Sequence, residues 1–335
     1  MHLFQKKSID NTAIESQTIG SFFGVKGKKL QRQYKKHLSS FSSWEPREHA
    51  HQWIIYPQNM GTHLSIDEVA LYQGELYTIV TNKKFKGKKS SLVAIIAGTK
   101  DDQAIEHIRK IDPEKRNCVK EITLDMANTM KLIAKKCFPK AIQVTDRFHI
   151  QKRALEALQE IRIKYRWKAI DMENQAIIKA KSENKTHIPQ ILPDSDSPKQ
   201  LLARHRYLLY KSRQKWTINQ QERAEILFEL YPEIKTAYHL SQQLRNIYNT
   251  NNDKNVAMLK LAHWYRTVKE SGFKNFNIVL NTITLNYQSI LNYFDNRSTN
   301  AAAESFNAKI KAFRSHFRGV RKIDFFLFRL FNLFA

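Results

Sequence analysis

The chain has only two cysteines, Cys118 and Cys137, in 335 residues. Two thiols exclude a disulfide framework, cannot alone complete a zinc finger, and fit a reducing compartment. Long apolar runs are missing too: no stretch reaches the roughly 18–20 residues of a membrane span. The opening residues, MHLFQKKSID, lack the apolar core of a signal peptide, so a cytoplasmic protein with no membrane partner is expected. No internal repeat is evident. Acids are scarce, with 31 Asp and Glu against 56 Lys and Arg, leaving a formal net charge of +25. That excess points to a polyanion, whose phosphates release counterions when lysine and arginine neutralise them. A merely basic or ribosome-associated protein shows the same balance.

Hydrophobic residues make up 42%, enough for a core. The chain organises around residues 118–168. Two β-type runs there, Val119–Leu124 and Ala141–Thr145, each end on an aspartate, Asp125 and Asp146, and each aspartate opens a helical pattern. Such sheets keep their ligands at the carboxyl ends of parallel strands. Upstream lie three more β-type runs, His63–Tyr72, Glu75–Thr81 and Ser91–Ala97, with a tight turn at Gln73-Gly74 and a basic hairpin tip at Lys83–Lys89. The order from His63 to Trp167 is β-β-β-α-β-α-β-α, the ribonuclease H-like order. The predicted fold is therefore α/β: a ribonuclease H-like core, a mixed five-stranded sheet with flanking helices. This topology predicts that Asp67, inside the first strand, neighbours Asp125.

Residues 1–15 show no strong pattern. Residues 16–40 read as helix, Gly24-Val25 turn and basic helix, a helix-turn-helix-like arrangement carrying Lys28, Lys29, Arg32, Lys35 and Lys36. A solvated basic hairpin reads the same way. Residues 39–61 read as a linker. Residues 201–295 are helical in pattern, at Leu201–Trp216, Asn219–Leu230, Ile234–Asn249, Asn255–Ser271 and Asn275–Tyr293, and read as an insertion that interrupts the core. The divisions are 1–45, a basic N-terminal segment; 46–170, the first part of the core; 171–295, the helical insertion; and 296–335, helices that complete the core. In the last of these, Phe306, Ile310, Phe313 and Phe317 form an apolar stripe, with Asn300, Glu304, Asn307, Lys311 and Arg314 opposite.

Three acids suffice to hold two magnesium ions for phosphodiester chemistry, because hard cations take carboxylate oxygens. The candidates are Asp67, Asp125 and Glu304, with Asp146 and His149 as a further pair. Asp125 and Asp146 also suit helix capping, and a plain amphipathic helix explains Glu304's stripe. Asp67 is harder to dismiss, since aspartate disfavours a strand interior.

The set Ser65-Ile66-Asp67-Glu68, Thr123-Leu124-Asp125-Met126, Asp146-Arg147-Phe148-His149 and Thr299-Asn300 with Glu304, Asn307 and Lys311 resembles the DDE transposases of bacterial insertion sequences. Within them it resembles the ISL-three group and its ISAon-type members, over roughly residues 50–335. The resemblance implies DNA strand cleavage and strand transfer at the inverted repeats that end an insertion sequence. It implies catalytic and metal-binding roles for Asp67, Asp125 and Glu304, two Mg2+ ions with Mn2+ as a substitute, and supporting roles for Asp146, His149, Asn300 and Asn307. Asp146-Arg147-Phe148-His149 matches the Asp-x-x-His signature of related groups, so either Asp125 or Asp146 can be the second ligand. Asp125 is favoured because it ends the strand expected beside Asp67. Double-stranded DNA, both element ends and target, is the implied partner, contacted by Lys309, Lys311, Arg314, Arg318 and Arg321 and by the N-terminal basic residues. A homo-oligomer in a synaptic complex, and a nucleoid-associated location, go with it. Relatives often carry an N-terminal cysteine cluster that is absent here, which implies a separate DNA-binding polypeptide as a further partner. A non-catalytic or decayed DNA-binding protein, and a nuclease that cuts without joining, are the alternatives.

Overall fold

The computed structural model describes residues 2–71, 74–317 and 323–335. The Gln73 half of the expected Gln73-Gly74 turn lies outside them. The chain divides into two compact units, one of residues 1–146 with 298–335 and one of residues 147–297.

The first unit opens with α1 (His2–Asn11), α2 (Ser16–Phe22) and α3 (Gly27–Gln33), the last running into a π turn at Tyr34–Leu38. Helix α1 falls where the sequence showed no pattern. It is mostly polar, and its place comes from a fully buried Ile9. Helices α2 and α3 are joined through Gly24, whose φ of +64° is a left-handed conformation that glycine adopts at no steric cost. They approach so closely that a Cβ on Gly27 would lie 2.3 Å from Gln17 Cα, and one on Gly20 would lie 2.4 Å from Val25 O. Backbone cannot swing aside as a side chain can. Gly27→Ala is therefore expected to cost about 1–3 kcal/mol, read as a fall in melting temperature that alanine at exposed Ser21 does not produce.

Six strands follow: β1 (Trp53–Ile55), β2 (His63–Ala70), β3 (Leu76–Asn82), β4 (Leu92–Ala97), β5 (Glu121–Leu124) and β6 (Ile142–Thr145). They form one mixed sheet in the order β1-β4-β3-β2-β5-β6. The pairs β1/β4, β4/β3 and β3/β2 are antiparallel, and β2/β5 and β5/β6 are parallel. The five expected strands are present, and β1 is a sixth, inside what the sequence presented as a linker. Its three residues are too few for an alternation to register. Helices α4 (Asp101–Ile108), α5 (Pro113–Asn117) and α6 (Asn128–Cys137) lie between β4 and β6 in the chain. One apolar cluster joins Ile108, Met130 and Ile133 to Leu64, Ile66, Val80, Ile122 and Leu124, the residues pointing to one face of the sheet. Both cysteines are free.

The second unit is helical: α7 (Arg147–Ser182), α8 (Pro198–Arg204), α9 (Ile218–Leu230), α10 (Pro232–Thr250), α11 (Lys254–Ser271), α12 (Lys274–Leu285), α13 (Tyr287–Leu291) and α14 (Tyr293–Asn296). Helix α7 packs on α8, α10 and α12. Helices α8 and α9 begin with Ser-x-x-Gln and Thr-x-x-Gln capping boxes. Two expected helices are broken. Leu201–Trp216 stops at Arg204, and the buried Trp216 indole donates to Leu208 O at 3.1 Å, folding the segment back. Asn275–Tyr293 is interrupted at Asn286, whose side chain donates to Thr282 O at 2.7 Å in competition with the helix.

The chain then returns to the first unit with α15 (Ala301–Ser315) and α16 (Asp324–Phe334). Phe306, Ile310 and Phe313 of α15 and Phe325, Phe326 and Phe328 of α16 close the sheet's second face over Val69, Tyr77 and Ile79. Ile19, Leu30, Tyr34, Phe41 and Trp44 belong to the same core, so the N-terminal helices are part of this unit's packing. Among the described residues, no helix is long and apolar enough to cross a membrane.

Candidate active site

The sheet's second face is apolar on the β1-β4-β3 side and polar on the β2-β5-β6 side. Ser65 of β2 pairs with Thr123 of β5, and Leu124 of β5 pairs with Thr145 of β6. Continued toward the carboxyl ends, this register sets Asp67, Asp125 and Asp146 level on three neighbouring strands. Asp67 keeps its place inside β2 opposite Ile79. Its Oδ1 accepts from the Glu68 amide at 2.9 Å, and its Oδ2 accepts from Asn307 Nδ2 at 2.6 Å. Asn307 lies on α15 one turn beyond Glu304 and is 7% exposed, so this bond docks the helix carrying Glu304 onto the middle of β2. The expected compensation for a strand-interior aspartate is thus a buried amide from far along the chain.

Asp125 is half-buried, and its Oδ1 accepts the Ala127 amide at 2.9 Å, two residues on. Partial desolvation pushes the Glu68 carboxyl above its usual range, and the charge of Asp125 raises it further. Lys131 on α6 loses proton affinity to burial, against which Asp125 acts. Asp146 is 2% exposed, and its amide donates to Leu124 O at 3.0 Å. A carboxylate oxygen of Asp146 and one of Glu304 lie within 4.8 Å of each other. Glu304 sits in the first turn of α15, half-exposed, where the helix dipole favours an anion. His149 falls in the first turn of α7, in the other unit.

Asn300 occupies the N-cap position of α15 but makes no capping bond. It is 1% exposed, and among the described residues neither atom of its amide has a hydrogen-bond partner, nor does Asn307 Oδ1. Buried amides without partners call for a partner such as water or an ion. The neighbouring carboxylate oxygens of Asp146 and Glu304 are hard donors. They suit Mg2+ or Mn2+ and not a thiophilic metal.

A polar cluster that the sequence did not announce lies on the same face. Lys83 Nζ donates to Thr123 Oγ1 at 2.6 Å and to Ser298 Oγ, and stands 3.5 Å from Glu121 Oε1. Ser298 Oγ in turn donates to Glu121. Glu121 is 3% exposed, and burial holds the Lys83 ammonium below its ordinary pKa while Glu121 opposes that shift. Lys83 was expected in a basic hairpin tip, and it is instead a half-buried partner of the buried Glu121. Glu121 was detectable: an acid in a β-type run is disfavoured, though glutamate less than aspartate.

Arg314 also departs from expectation. It is 2% exposed, and its guanidinium makes a two-pronged pair with Glu75 at 2.9 and 2.7 Å, so it fastens the end of α15 to the start of β3 and does not face a DNA path. Three of the five residues of the polar stripe, Asn300, Asn307 and Arg314, are therefore buried. Lys309 and Lys311 are exposed, the former bonded to Gly87 O at 3.2 Å. Lys28, Lys29, Arg32 and Lys36 are exposed, whereas Lys35 lies over the Phe41 and Phe325 rings. Arg318 and Arg321 lie outside the described residues.

No curated protein matches the chain. A family model described as a transposase, that of the ISL3-group DDE transposases, matches residues 64–330 and so takes in β2 with Asp67, the strand-end acids, the helical unit and α15 with Glu304. The chain belongs to the ISL3-group DDE transposase family.

Proposed function

We propose that the chain is a metal-dependent DNA transposase that cuts at the ends of an insertion sequence and joins the freed 3′-hydroxyl to target DNA. Its first unit serves as a ribonuclease H-like core, and its helical unit as an insertion between the second and third acids. The observation that carries the reading is the gathering of like charges: Asp67 held by Asn307, one turn from a Glu304 whose carboxylate lies within 4.8 Å of Asp146. Carboxylates this close repel, and a cation among them turns the repulsion into binding.

Asp67, Asp125 and Glu304 would hold the divalent ions, with Asp146 the alternative to Asp125 and otherwise a neighbour that orients Glu304. The bound Mg2+, or Mn2+ in its place, supplies neutralisation of the phosphate and a lowered pKa for the attacking water or hydroxyl. Asn307 fixes the Asp67 carboxylate by occupying one oxygen, leaving the other directed by the β2 backbone. Asn300 offers its buried amide at the start of the same helix. His149, three residues past Asp146, supports the site or acts on the flanking strand. Lys309, Lys311 and the exposed N-terminal cations contact phosphates, and binding should weaken steeply with salt.

The test uses element-end duplexes pre-cut at the 3′ end, supercoiled target DNA and Mg2+. Joined product is expected. Hydrolysis with no joining favours a nuclease, and binding with neither reaction favours a non-catalytic DNA-binding protein; either result ends the proposal.

A further inference from the structure

Beyond Arg162 no residue of α7 is buried, although the helix continues to Ser182, about 30 Å farther. Tyr165, Ala169, Met172 and Ala176 face a cavity of about 480 Å³ closed by the following segment around Pro189 and Leu192. On the opposite side, Ile163, Trp167, Ile170, Asn174 and Ile177 follow one another at spacings of 4, 3, 4 and 3. Ile163 is 41% exposed and Trp167 61%, and Ile178 beside the stripe is 67% exposed. A stripe at this spacing is the seam of a two-stranded coiled coil, and nothing in the described residues covers it.

We infer that this stripe pairs with the same stripe of a second copy of the chain, as a short parallel coiled coil. Two features select that occupant. The stripe is interrupted by one polar residue, Asn174, and only a parallel copy in register meets it with another asparagine, where the two amides satisfy each other. In the same register Arg166 of one copy faces Asp171 of the other, and two-fold symmetry makes the pair twice. With two heptads, the interface is at the small end of stable contacts, so dissociation on the order of micromolar is expected. Two copies held on one DNA would gain from the high effective concentration. The inference does not depend on the proposed chemistry, and its test uses neither DNA nor metal.

Analytical ultracentrifugation of the full chain at tens of micromolar is expected to show a dimer. Trp167→Glu with Ile170→Glu should yield a monomer that still unfolds in one cooperative transition, since Trp167 is exposed and Ile170 is only half-buried in the monomer. Asn174→Leu should tighten the dimer by tenfold or more. With Cys118→Ser in the background, Ile170→Cys should oxidise to a disulfide-linked dimer, which an antiparallel pairing would not give. A monomeric wild type, or a dimer indifferent to the Trp167 and Ile170 changes, overturns the inference.

Discussion

Asp67→Asn will abolish strand joining, by on the order of 10³-fold or more, while the protein still folds and binds element-end DNA. The substitution keeps the shape of the side chain and removes one anionic oxygen. Asn307 Nδ2, which donates to Asp67 at 2.6 Å, can still be met by the new amide oxygen, so α15 stays docked on β2. Loss of a negative charge relieves repulsion among the acids while the Glu68 amide loses its acceptor, so the melting temperature should change little. Gel-shift affinity and its salt dependence should not change, because Asp67 contacts no phosphate without a cation between them. A variant that joins DNA at more than a few per cent of the wild-type rate would remove Asp67 from the chemistry.

Lys83→Met will destabilise the first unit by about 3 kcal/mol, the scale on which breaking one side of a buried ion pair is felt. That corresponds to roughly 6–12 °C in melting temperature. The change takes the ammonium from Glu121, 3% exposed, and from Ser298, which leads directly into α15. Adding Glu121→Gln should recover most of the loss, because the uncompensated charge and not the missing contact dominates the cost. A pH signature follows from the sign of the shift. Burial holds the Lys83 ammonium below its unfolded pKa, so between the two values the unfolded chain binds more protons and wild-type stability rises with pH. Lys83→Met should lose that rise. If the single variant melts with wild type, the cluster is only a surface contact, and Glu304 is positioned by other means.

Local pattern was enough for most of the frame. Alternation and strand-end aspartates located β2 through β6, and the order of strands and helices set Asp67 beside the carboxyl end of β5 without any contact being known. What failed to show was either short or distant. Strand β1 has three residues, and α1 is held by buried Ile9 together with hydrogen bonds from Arg329 to Ile9 O and from Tyr34 to Asp10, so neither carries a periodicity. Arg314 and Lys83 looked like solvated cations because their partners, Glu75 and Ser298, are 239 and 215 residues away. Periodicity on α15 separated an apolar face from a polar one, but it could not say that a polar face can also be buried. Here it meets the polar half of the sheet, where Asn307 finds Asp67. Asn286 and the Trp216 fold-back broke helices that propensity alone would have continued, since both act through side-chain bonds to the backbone.

The central claim is that these acids hold divalent ions against the reacting phosphate. Its most direct test replaces the 3′-bridging oxygen of the scissile bond at the element end with sulfur. In Mg2+ cleavage should slow by on the order of 10²-fold, and Mn2+, which tolerates sulfur better, should restore most of the rate. No restoration should occur in Asp67→Asn. Equal rates in the two ions, or a Mn2+ rescue that persists in Asp67→Asn, would contradict a metal held by Asp67 at the departing oxygen.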